Sequence, residues 1–504
     1  MEKNVLEFLE KSAVLYADKT AVKDVKEERD FSSLCSDAQK IGSALEAQQI
    51  FGKTIPVYME KSVLTVEVFF GIVYAGGAYS LVNPIQPKDR VEKILAAVSS
   101  PIIITDKERL EALQEMNFEG TVVLAEDLLN TEIHQERLRL IREKMVDTDA
   151  LYVNFTSGST GVPKGVVVGH RSVIEFMHYF TSMFSITADD IIGNQAPFDF
   201  DVSVKDIYSM LMTGAAMYII PKEYFAFPKN LLDIMDSEKI TTLIWAVSAL
   251  CVISSLNSFS YKIPKTVNKV LFSGEVMPVR HLAEWVRVLP DAMFVNLYGP
   301  TEITCNCTYY IINNKNLDEK VIPIGKAFPN DRVFLLDGEK EICTHDTPGE
   351  ICVGGNSLAL GYFKDMERTK QAFVQNPLNH NYMEMIYRTG DMAYYREDGN
   401  FVYVGRKDFQ IKHLGHRIEL GEIETYISEI QGIERVCCLY DEQAEKIIAV
   451  FQGNVEKKNI RAALRKKLIK YMIPERFVNV ESMPLTANGK IDRKKLKKNF
   501  FKGE

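Results

Sequence analysis

Residues 152–168, YVNFTSGSTGVPKGVVV, form the stretch around which we expect the rest of the chain to be organised. An apolar strand at residues 152–155 leads into a loop of glycines and hydroxyl side chains, and a β-branched run follows at residues 166–168. Glycines let a backbone close around an anion, while exposed N–H groups, hydroxyls and the ammonium of Lys164 attract phosphate oxygens. The structural alternative is a β-hairpin with a polar turn. The composition of the loop favours a phosphate-binding site.

This loop is not a Walker A motif. A Walker A loop requires G-x-x-x-x-G-K-[ST], and counting from Gly158 places Pro163 where the second glycine belongs. The three glycines, four hydroxyls and one lysine between residues 156 and 165 therefore predict a phosphate loop of another kind.

The composition is that of an ordinary globular protein, with 46% hydrophobic and 25% charged residues in a chain of 504. A chain of this length is too long to fold around a single hydrophobic core, so at least two domains are expected. The net charge of −8 argues against nucleic acid or an anionic membrane as the main partner. Since we find no signal peptide, no apolar run of membrane-helix length and no C-x-x-C pair among the eight cysteines, we expect a cytoplasmic protein with reduced thiols.

Secondary-structure patterns predict an α/β fold class. The first third of the chain alternates between helical spacing and short apolar strands, which is typical of a sheet covered by helices on both faces. Residues 321–361 predict a small β-rich subdomain. Toward the C-terminus, residues 419–430 predict a helix whose Glu422 and Glu424 face solvent, and the basic run at residues 493–498 predicts another solvated helix face.

Five further stretches carry polar or aromatic residues in patterns typical of binding or catalytic sites. They are NQAPFDFDVSVKDIYSML (194–211), VLFSGEVMP (270–278), VNLYGPTEITCNCT (295–308), YRTGDMAYYREDGNFVYVGRKDFQIKHLGHRIELGEIE (387–424) and PLTANGKIDRKKL (484–496). Together with the phosphate loop, they resemble the adenylate-forming ligases along the full length of the chain. Residues 194–208 and 271–278 most resemble the amino-acid-activating branch, and within it the D-alanine–D-alanyl carrier protein ligases.

The resemblance implies two domains. Residues 1–407 would form a large N-terminal α/β domain with the β-rich subdomain, and residues 408–504 a small mobile α+β domain, with Asp408 at the hinge. In the family the small domain rotates between an adenylate-forming and a thioester-forming state. The segment around Gly415 resembles the part that reaches the active site in the thioester-forming state, where a glycine leaves room for a pantetheine arm.

The resemblance also implies an ATP site. Residues of the phosphate loop would hold the β- and γ-phosphates: Thr156, Ser157, Gly158, Ser159, Thr160, Gly161 and Lys164. The turn at Gly274 and Glu275 would cover the adenine, and Tyr298 would pack on it. Asp391 would hydrogen-bond the ribose hydroxyls, and Arg406 would contact ribose or phosphate.

Three residues are expected to act on the reacting groups. In the family, the threonine and glutamate at Thr301 and Glu302 touch the α-phosphate and bind magnesium, respectively. A lysine after Asn-Gly is normally a solvated turn residue. The resemblance instead implies that Lys490 bridges the substrate carboxylate and the α-phosphate while negative charge builds on the transferred group.

An amino-acid pocket is expected around Asp201, which the resemblance pairs with the substrate α-amino group. The structural alternative for Asp201 is a helix cap. Lys205 lies one helical turn later, where many relatives carry an apolar or aromatic residue. It would pair with Asp201 or Asp206, reach solvent, or meet a polar or acidic group on the substrate. The resemblance adds four residues to this pocket: Val202, Ser273, Leu297 and Cys305.

The implied reaction joins a carboxylate and MgATP into an acyl-adenylate and pyrophosphate, after which a thiol forms a thioester and releases AMP. Asp201 favours an amino acid over a fatty or aryl acid, and a phosphopantetheine carrier protein, acting in trans, over coenzyme A. D-Alanine for teichoic acids is the leading pathway, although Ser273 replaces the cysteine usual in those ligases. The alternatives are a peptide- or polysaccharide-tailoring ligase, an acyl-coenzyme A synthetase, and a non-catalytic nucleotide-binding protein.

Overall fold

A computed structural model describes residues 2–158, 163–313, 317, 321–407, 409–442, 444–485 and 491–501. Elements up to the phosphate loop are α1 (Leu6–Leu15), β1 (Thr20–Lys23), β2 (Glu28–Asp30), α2 (Phe31–Glu46), β3 (Thr54–Tyr58), α3 (Val63–Tyr74), β4 (Ala78–Leu81), α4 (Lys88–Val98), β5 (Ile102–Thr105), α5 (Leu110–Gln114), β6 (Thr121–Leu124), α6 (Ala125–Leu128), α7 (Gln135–Lys144) and β7 (Ala150–Thr156).

The middle of the chain continues the alternation. Its elements are β8 (Lys164–Gly169), α8 (His170–Met183), β9 (Ile191–Asn194), α9 (Val202–Thr213), β10 (Ala216–Ile219), α10 (Pro228–Ser237), β11 (Thr242–Ala246), α11 (Val247–Ser255), β12 (Lys269–Ser273), α12 (Val279–Val288), β13 (Met293–Tyr298) and β14 (Thr308–Ile312).

The last third begins with strands. Its elements are β15 (Lys326–Ala327), β16 (Asp331–Asp337), β17 (Lys340–Glu341), β18 (Gly349–Gly355), β19 (Gly361–Tyr362), α13 (Met366–Ala372), β20 (Phe373–Gln375), β21 (Met385–Tyr395), β22 (Phe401–Arg406), β23 (Gln410–His413), β24 (His416–Glu419), α14 (Leu420–Ser428), β25 (Ile433–Asp441), β26 (Lys446–Gly453), α15 (Lys457–Leu464), β27 (Arg476–Asn479) and α16 (Arg493–Phe500).

Two large sheets carry the N-terminal part. The seven-stranded sheet has the order β19-β8-β7-β4-β3-β5-β6, and the nine-stranded sheet has the order β15-β14-β13-β12-β11-β9-β10-β1-β2. The central strands of both sheets pair in parallel, and antiparallel strands lie toward the ends. Parallel strands place their carboxyl ends at one edge, so loops after β9, β12 and β13 lie together there. The predicted α/β architecture is confirmed.

The core explains why the helices form where they do. Helix α3, VLTVEVFFGIVY, is apolar almost all round and is buried, and the Ser62 hydroxyl caps it by accepting the N–H of Thr65. It crosses α2 closely, because a Cβ on Gly71 would lie 2.2 Å from Ile41. Burial on this scale stabilises by roughly 25 cal/mol per Å² of apolar surface.

The small β-rich sheet is larger than the sequence suggested. It has the order β17-β16-β18-β21-β20, with β22 paired to β21, and so extends to Arg406 rather than ending near residue 361. Strand β21 is long, and its register with β22 places Asp391 opposite Arg406. This pairing matters for the site, because both residues were predicted to contact the nucleotide.

The C-terminal part consists of the β23–β24 hairpin and a three-stranded sheet, β25-β26-β27, covered by α14 and α15. The predicted boundary falls at Asp408, which lies outside the described residues, so the two-domain division stays a prediction. The solvated face predicted for α14 is wrong. Glu422 is 1% exposed and pairs with Arg90 of α4. Both carboxylate oxygens of Glu424 accept from Nη2 of Arg493 at 2.5 Å, and its Oε1 also accepts from the backbone N–H of Cys438 at 2.6 Å.

Candidate active site

One crevice collects most of the predicted site residues. It lies between the loops after β7, β9, β12 and β13 on one side and the β23–β24 hairpin on the other. Its lining includes Thr156, Ser157, Asp201, Val202, Lys205, Ser273, Gly274, Thr301, Cys305, Asp391, Arg406 and Gly415. The crevice is therefore built by both parts of the chain, although its residues are more than 250 positions apart in sequence.

Asp201 occupies the N-cap position of helix α9, but its side chain accepts no hydrogen bond from the first turn of the helix. The carboxylate therefore does not act as a helix cap. Burial raises the pKa of the carboxyl, and a hydrogen bond with Thr301 opposes the rise. The Sγ of Cys305 hydrogen-bonds the backbone carbonyl of Asp201 at 3.1 Å. A carboxylate held this way is suited to an incoming cation.

Lys205 is fully buried below Asp201, with 1% of its surface exposed. Its ammonium donates to Oδ1 of Asn306 at 2.7 Å and lies 3.4 Å from Oγ of Ser273. Both partners are neutral, so the expectations that Lys205 pairs with Asp201 or Asp206, or reaches solvent, are wrong. Burial lowers the pKa of Lys205, and the nearby thiol of Cys305 and the Asp201 carboxylate oppose that shift.

Leu297 was expected in this pocket and lies elsewhere. It lines the adjoining cavity together with Gly274, Glu275 and Tyr298, the residues predicted to hold the adenine.

Asp391 and Arg406, the two residues predicted to contact the ribose, are hydrogen-bonded to each other, and Asp391 also contacts Tyr298, which was predicted to pack on the adenine. The Tyr298 hydroxyl donates to Oδ2 of Asp391 at 2.5 Å, and Nη1 of Arg406 donates to Oδ1 at 2.7 Å. Lys412 of β23 places its ammonium 5.0 Å from the centre of the Tyr298 ring. The pattern did not single out Lys412, because on a strand alone a lysine is an ordinary solvated residue.

Glu302 follows Thr301, a residue of the crevice lining, and is itself buried with no exposed surface. Its Oε1 accepts from the Tyr362 hydroxyl at 2.7 Å and from Lys164 at 3.2 Å, and its Oε2 accepts from Nη1 of Arg417 at 2.6 Å. Burial alone would raise the pKa of Glu302, but Arg417 and Lys164 hold it well below its ordinary value. The sequence predicted Lys164 and Glu302 separately, and it gave no role to Arg417 or Tyr362.

The tip of the β23–β24 hairpin enters the crevice. Gly415 has φ +79° and lies beside Gly274. A Cβ atom added to Gly274 would lie 3.8 Å from the Gly415 carbonyl oxygen. Leu414 at the same turn has φ +52°, a left-handed conformation uncommon for a branched side chain. Burial raises the pKa of Glu275, while hydrogen bonds from the N–H groups of Gly415 and Leu414 oppose that rise.

The phosphate loop meets the same hairpin. The Ser157 hydroxyl donates to the Arg417 carbonyl oxygen at 2.7 Å, and Thr156 ends strand β7 with its hydroxyl buried. The loop residues Ser159, Thr160 and Gly161, the hinge residue Asp408 and the catalytic candidate Lys490 lie outside the described residues. Their predicted roles stay predictions.

Magnesium fits this site only together with phosphate. Among the described residues, no group of three or more histidine, cysteine, aspartate or glutamate side chains could hold a metal ion. Magnesium is commonly bound by one or two carboxylates plus substrate phosphates, and Glu302 supplies one buried carboxylate next to the phosphate loop. Glu302 would hold the ion, and the charge supplied there would neutralise developing negative charge on the phosphates.

Comparisons with known proteins place the chain in a family. The model for the AMP-binding enzymes matches residues 9–363, and the model for the AMP-binding enzyme C-terminal domain matches residues 422–490. The chain belongs to the AMP-binding enzymes. It is therefore an adenylate-forming enzyme, a class that uses ATP and releases AMP and pyrophosphate.

Several bacterial synthases are similar to this AMP-binding enzyme. Zwittermicin A synthase ZmaJ of Bacillus cereus is 32% identical, covering 98% of this chain and 94% of its own length. Gramicidin S synthase 2 of Brevibacillus brevis is 33% identical over 88% of this chain, and bacitracin synthase 1 of Bacillus licheniformis is 30% identical over 98%. The chain spans only about a tenth of the length of these last two synthases.

Solved structures share the fold. The adenylation domain AlmE of Vibrio cholerae, in complex with glycyl-adenosine-5′-phosphate, superposes with a TM-score of 0.85 at 19% identity, covering 100% of this chain and 98% of that one. PA1221, an NRPS protein containing adenylation and PCP domains, gives a TM-score of 0.81 at 24% identity, covering 99% and 97%. In the part of this enzyme that the structure describes, we find no helix with the length and apolar character needed to cross a membrane.

Proposed function

We propose that this enzyme activates an amino acid with a polar or acidic side chain as its aminoacyl-adenylate and transfers it to the phosphopantetheine thiol of a carrier protein. The observation that carries the proposal is that Asp201 and Lys205, of opposite charge, lie in one pocket beside the residues predicted to hold ATP. A zwitterionic substrate with an acceptor on its side chain matches both ends of that pocket.

Asp201 would bind the α-ammonium group. Its carboxylate is held by a hydrogen bond with Thr301 and has no lysine or arginine in direct contact among the described ion pairs. Burying a carboxylate without a cation is costly, so a substrate ammonium would complete the pair. This contact would also aim the substrate carboxylate toward Thr301 and the α-phosphate.

Lys205 would bind the far end of the side chain. An ammonium has three N–H donors, and Asn306 and Ser273 account for two of them. A side-chain carboxylate, amide or hydroxyl on the substrate would accept the third. An alanine methyl group would leave this third N–H donor without a partner, so the pocket fits a polar or acidic substrate better than D-alanine.

Chemistry at this site is positioning and charge neutralisation. The substrate carboxylate would attack the α-phosphorus in line, forming the C–O–P bond of the adenylate and breaking the bond to pyrophosphate. Thr301 and Lys164 would donate to phosphate oxygens, and Asp391 would orient the ribose. Lys490, in the predicted role, would reach the reacting oxygens from the C-terminal part.

Transfer to a carrier thiol would follow with the β23–β24 hairpin in the crevice. The thiol sulfur would attack the carbonyl carbon of the adenylate, AMP would leave with the bonding electrons, and the thiol proton would pass to solvent. The placement of Gly415 beside Gly274 supports this order, because neither glycine presents a side chain to a narrow pantetheine arm. PA1221, with its adenylation and PCP domains, is a protein of this fold joined to a carrier.

The test is amino-acid-dependent ATP–pyrophosphate exchange over a panel. It would contain glutamate, aspartate, glutamine, serine, glycine and both alanine enantiomers, with acetate and benzoate as controls. We expect the largest rate with a polar or acidic amino acid, followed by loading of a phosphopantetheinylated carrier added as a separate chain. A response to D-alanine alone would support teichoic acid D-alanylation, whereas activity confined to the simple acids with coenzyme A would overturn the proposal.

A further inference from the structure

Asn154 is a polar residue in the middle of strand β7, the strand that leads into the phosphate loop. It is 6% exposed and lines the crevice, and its side-chain amide makes no hydrogen bond with any residue that the structure describes. Asparagine is disfavoured in strands, and a buried amide without a partner lowers the stability of the fold. The residue therefore weakens the strand to which it belongs, and a binding role would account for that cost.

Two other buried asparagines in strands show what a structural role looks like. The amide of Asn194 in β9 donates to Asp206 at 2.6 Å. The amide of Asn296 in β13 donates to the backbone carbonyl oxygen of Pro323 at 2.8 Å. Asn154 differs from both, because its amide has no such partner among the described residues and neither of its amide atoms is sealed off inside the protein. Both atoms therefore reach the open space of the crevice.

Strand β7 runs from the amino-acid pocket to the phosphate loop. Near its start, burial raises the pKa of Tyr152, and the nearby Cys305 and Asp201 groups add to the rise. At its end, Thr156 lines the crevice where the phosphate loop begins. Side chains two positions apart on a strand point to the same face, at intervals of about 7 Å. Asn154 is therefore midway between the pocket end and the phosphate end of one strand face.

The substrate group that belongs at this midpoint is the α-carboxylate. The contact proposed for Asp201 fixes the α-ammonium group at one end, and the phosphate loop fixes the nucleotide at the other. In an aminoacyl-adenylate the acyl carbonyl joins these two ends. An amide has two N–H donors, which suit both a carboxylate oxygen and the carbonyl oxygen of the adenylate. A lysine or arginine in this place would instead favour the free carboxylate over the adenylate, because its charge pairs best with a full negative charge.

We propose that the side-chain N–H groups of Asn154 hold the α-carboxylate of the amino acid, and then the acyl carbonyl oxygen of the adenylate, between Asp201 and the phosphate loop. This inference rests on the proposed function and deepens it, since it names the residue that orients the reacting group. Asn154 forms no covalent bond and gives up no proton. Its contribution is to aim one carboxylate oxygen at the α-phosphorus by holding the other.

Asn154→Leu is the direct test, because leucine has nearly the same shape without a donor or an acceptor. The probes are the most active amino acid of the panel and the amine that its decarboxylation would give, both bound to the full chain and followed by calorimetry. We expect affinity for the amino acid to fall by roughly 10- to 150-fold, as for the loss of a hydrogen bond to a charged group. Affinity for the amine, which lacks the carboxylate, should stay within about threefold of wild type.

Asn154→Asp separates the donors from the acceptor. Aspartate keeps the shape and an acceptor but replaces the N–H donors with a negative charge. We expect it to bind the amino acid at least as weakly as Asn154→Leu does, because two carboxylates then face each other. Binding equal to or tighter than that of the wild type would mean that Asn154 accepts from the α-ammonium group, and would overturn the inference.

Thermal unfolding of the free enzyme distinguishes a binding role from a structural one. The melting temperature of Asn154→Leu should stay constant or rise, since the variant removes a buried amide without a partner. Asn376→Leu is the matched control. Asn376 is also fully buried, but it donates to Glu384 at 3.1 Å and accepts from the N–H of Leu378 at 3.0 Å, away from the crevice.

The control should melt at a lower temperature and keep the wild-type preference for the amino acid over the amine. A lower melting temperature of Asn154→Leu with an unchanged preference would show a structural role and overturn the inference. Pyrophosphate exchange measured in parallel keeps the two proposals apart. Amino-acid-dependent exchange with the same preference in wild type and Asn154→Leu would refute only the role of Asn154, whereas no exchange with any amino acid would refute the proposed function.

Discussion

Arg90 of α4 and Glu422 of α14 form an ion pair at 3.2 Å in which the two side chains are 8% and 2% exposed. They stand 332 positions apart and join the N-terminal part of the chain to the C-terminal part. Lys93, one turn further along α4, donates to the Tyr426 hydroxyl at 2.6 Å. Helix α14 is therefore an interface element, which its glutamate-rich sequence does not suggest.

Removing one member of this pair should loosen the docked state. Glu422→Ala leaves Arg90 buried without its partner, which costs about 3–5 kcal/mol for a buried pair. We expect faster limited proteolysis between residues 406 and 410, with little change in the melting temperature of the N-terminal part. The double variant Arg90→Met/Glu422→Leu should recover most of the protection, because neither charge is then left buried alone.

Lys205 should set the ranking of substrates. Lys205→Met keeps the length and apolar stem of the side chain and removes the donor, so we expect kcat/KM for the preferred amino acid to fall by roughly 10- to 150-fold, as for the loss of a charged hydrogen bond of about 1.5–3 kcal/mol. Rates with alanine should rise or stay constant. The measurement is pyrophosphate exchange over the panel.

Lys269→Met is the control for that substitution. Lys269 pairs with Asp190 at 2.8 Å at the opposite end of the sheet, and it is also largely buried. Its loss should lower stability without reordering the substrates. An unchanged ranking in Lys205→Met would show that the ammonium serves the fold and not the substrate.

Asp201 should be required for amino acids and not for ATP. Asp201→Asn preserves shape while removing the charge that would meet the α-ammonium group, and truncating one side of such a pair costs about 2–5 kcal/mol. We expect kcat/KM for the amino acid to fall by roughly 30-fold or more, with ATP affinity within threefold of wild type by calorimetry. Tolerance of Asp201→Ala together with turnover of coenzyme A would favour an acyl-coenzyme A synthetase.

Gly415 should matter for the second half-reaction only. In Gly415→Ala, the new Cβ would stand 3.2 Å from Cβ of Ala246 and 3.4 Å from Oγ of Ser248, and φ of +79° adds about 1–2 kcal/mol of backbone strain. We expect pyrophosphate exchange close to wild type and carrier loading reduced at least tenfold. Leu414→Gly removes strain at φ +52° and should leave both half-reactions intact, which makes it the control for changes in the turn.

The stability of the fold should fall as pH rises toward neutrality, partly through Asp206. Asp206 is fully buried, accepts from Asn194 at 2.6 Å, and has its pKa raised by burial to about 7. Between the unfolded value of 3.8 and about 7, the folded state keeps a proton that the unfolded state has lost, so its contribution declines with pH and is constant above about 7. Asp206→Asn is neutral throughout and should flatten this decline in denaturant titrations.

Asp190 supplies a control with the opposite sign. Burial would raise the pKa of Asp190, but hydrogen bonds from Lys269 and Thr241 lower it below its ordinary value of 3.8. Its stabilisation is therefore present above that value and is lost as pH falls through the lower folded value. Asp190→Asn should lower the free energy of unfolding by the same amount from pH 5 to 8. The decline of stability toward neutral pH should remain in this variant.

Local patterns predicted much of the fold. The alternation of helices and short strands predicted for the first third of the chain is confirmed, because an apolar stripe or a short apolar run is encoded within a dozen neighbouring residues. The solvated face predicted for α14 was wrong at Glu422 and Glu424, whereas the lysines of α16 are exposed as predicted and only Arg493 of that basic run pairs with Glu424. A sequence pattern shows that a residue is charged, but it does not show which distant residue pairs with that charge in the folded protein.

The candidate site divides in the same way. Lys164, Asp201, Tyr298, Glu302 and Asp391 stand in short motifs and were predicted as site residues. The structure places four of them in one crevice or the cavities beside it, and Glu302 is buried against Lys164. Tyr362, Asn306, Lys412 and Arg417 were given no role, since each is an unremarkable residue of its own strand or loop. Only their approach to Glu302, Lys205 and Tyr298 gives them significance.

By itself, the sequence determined the α/β fold class and the family, because these depend on residues close together along the chain. Tertiary structure alone decided that Arg417 meets Glu302 and that Lys205 turns inward to Asn306. The physical reason is desolvation: a buried charge is tolerated only where folding supplies a partner, and that partner comes from a distant part of the chain.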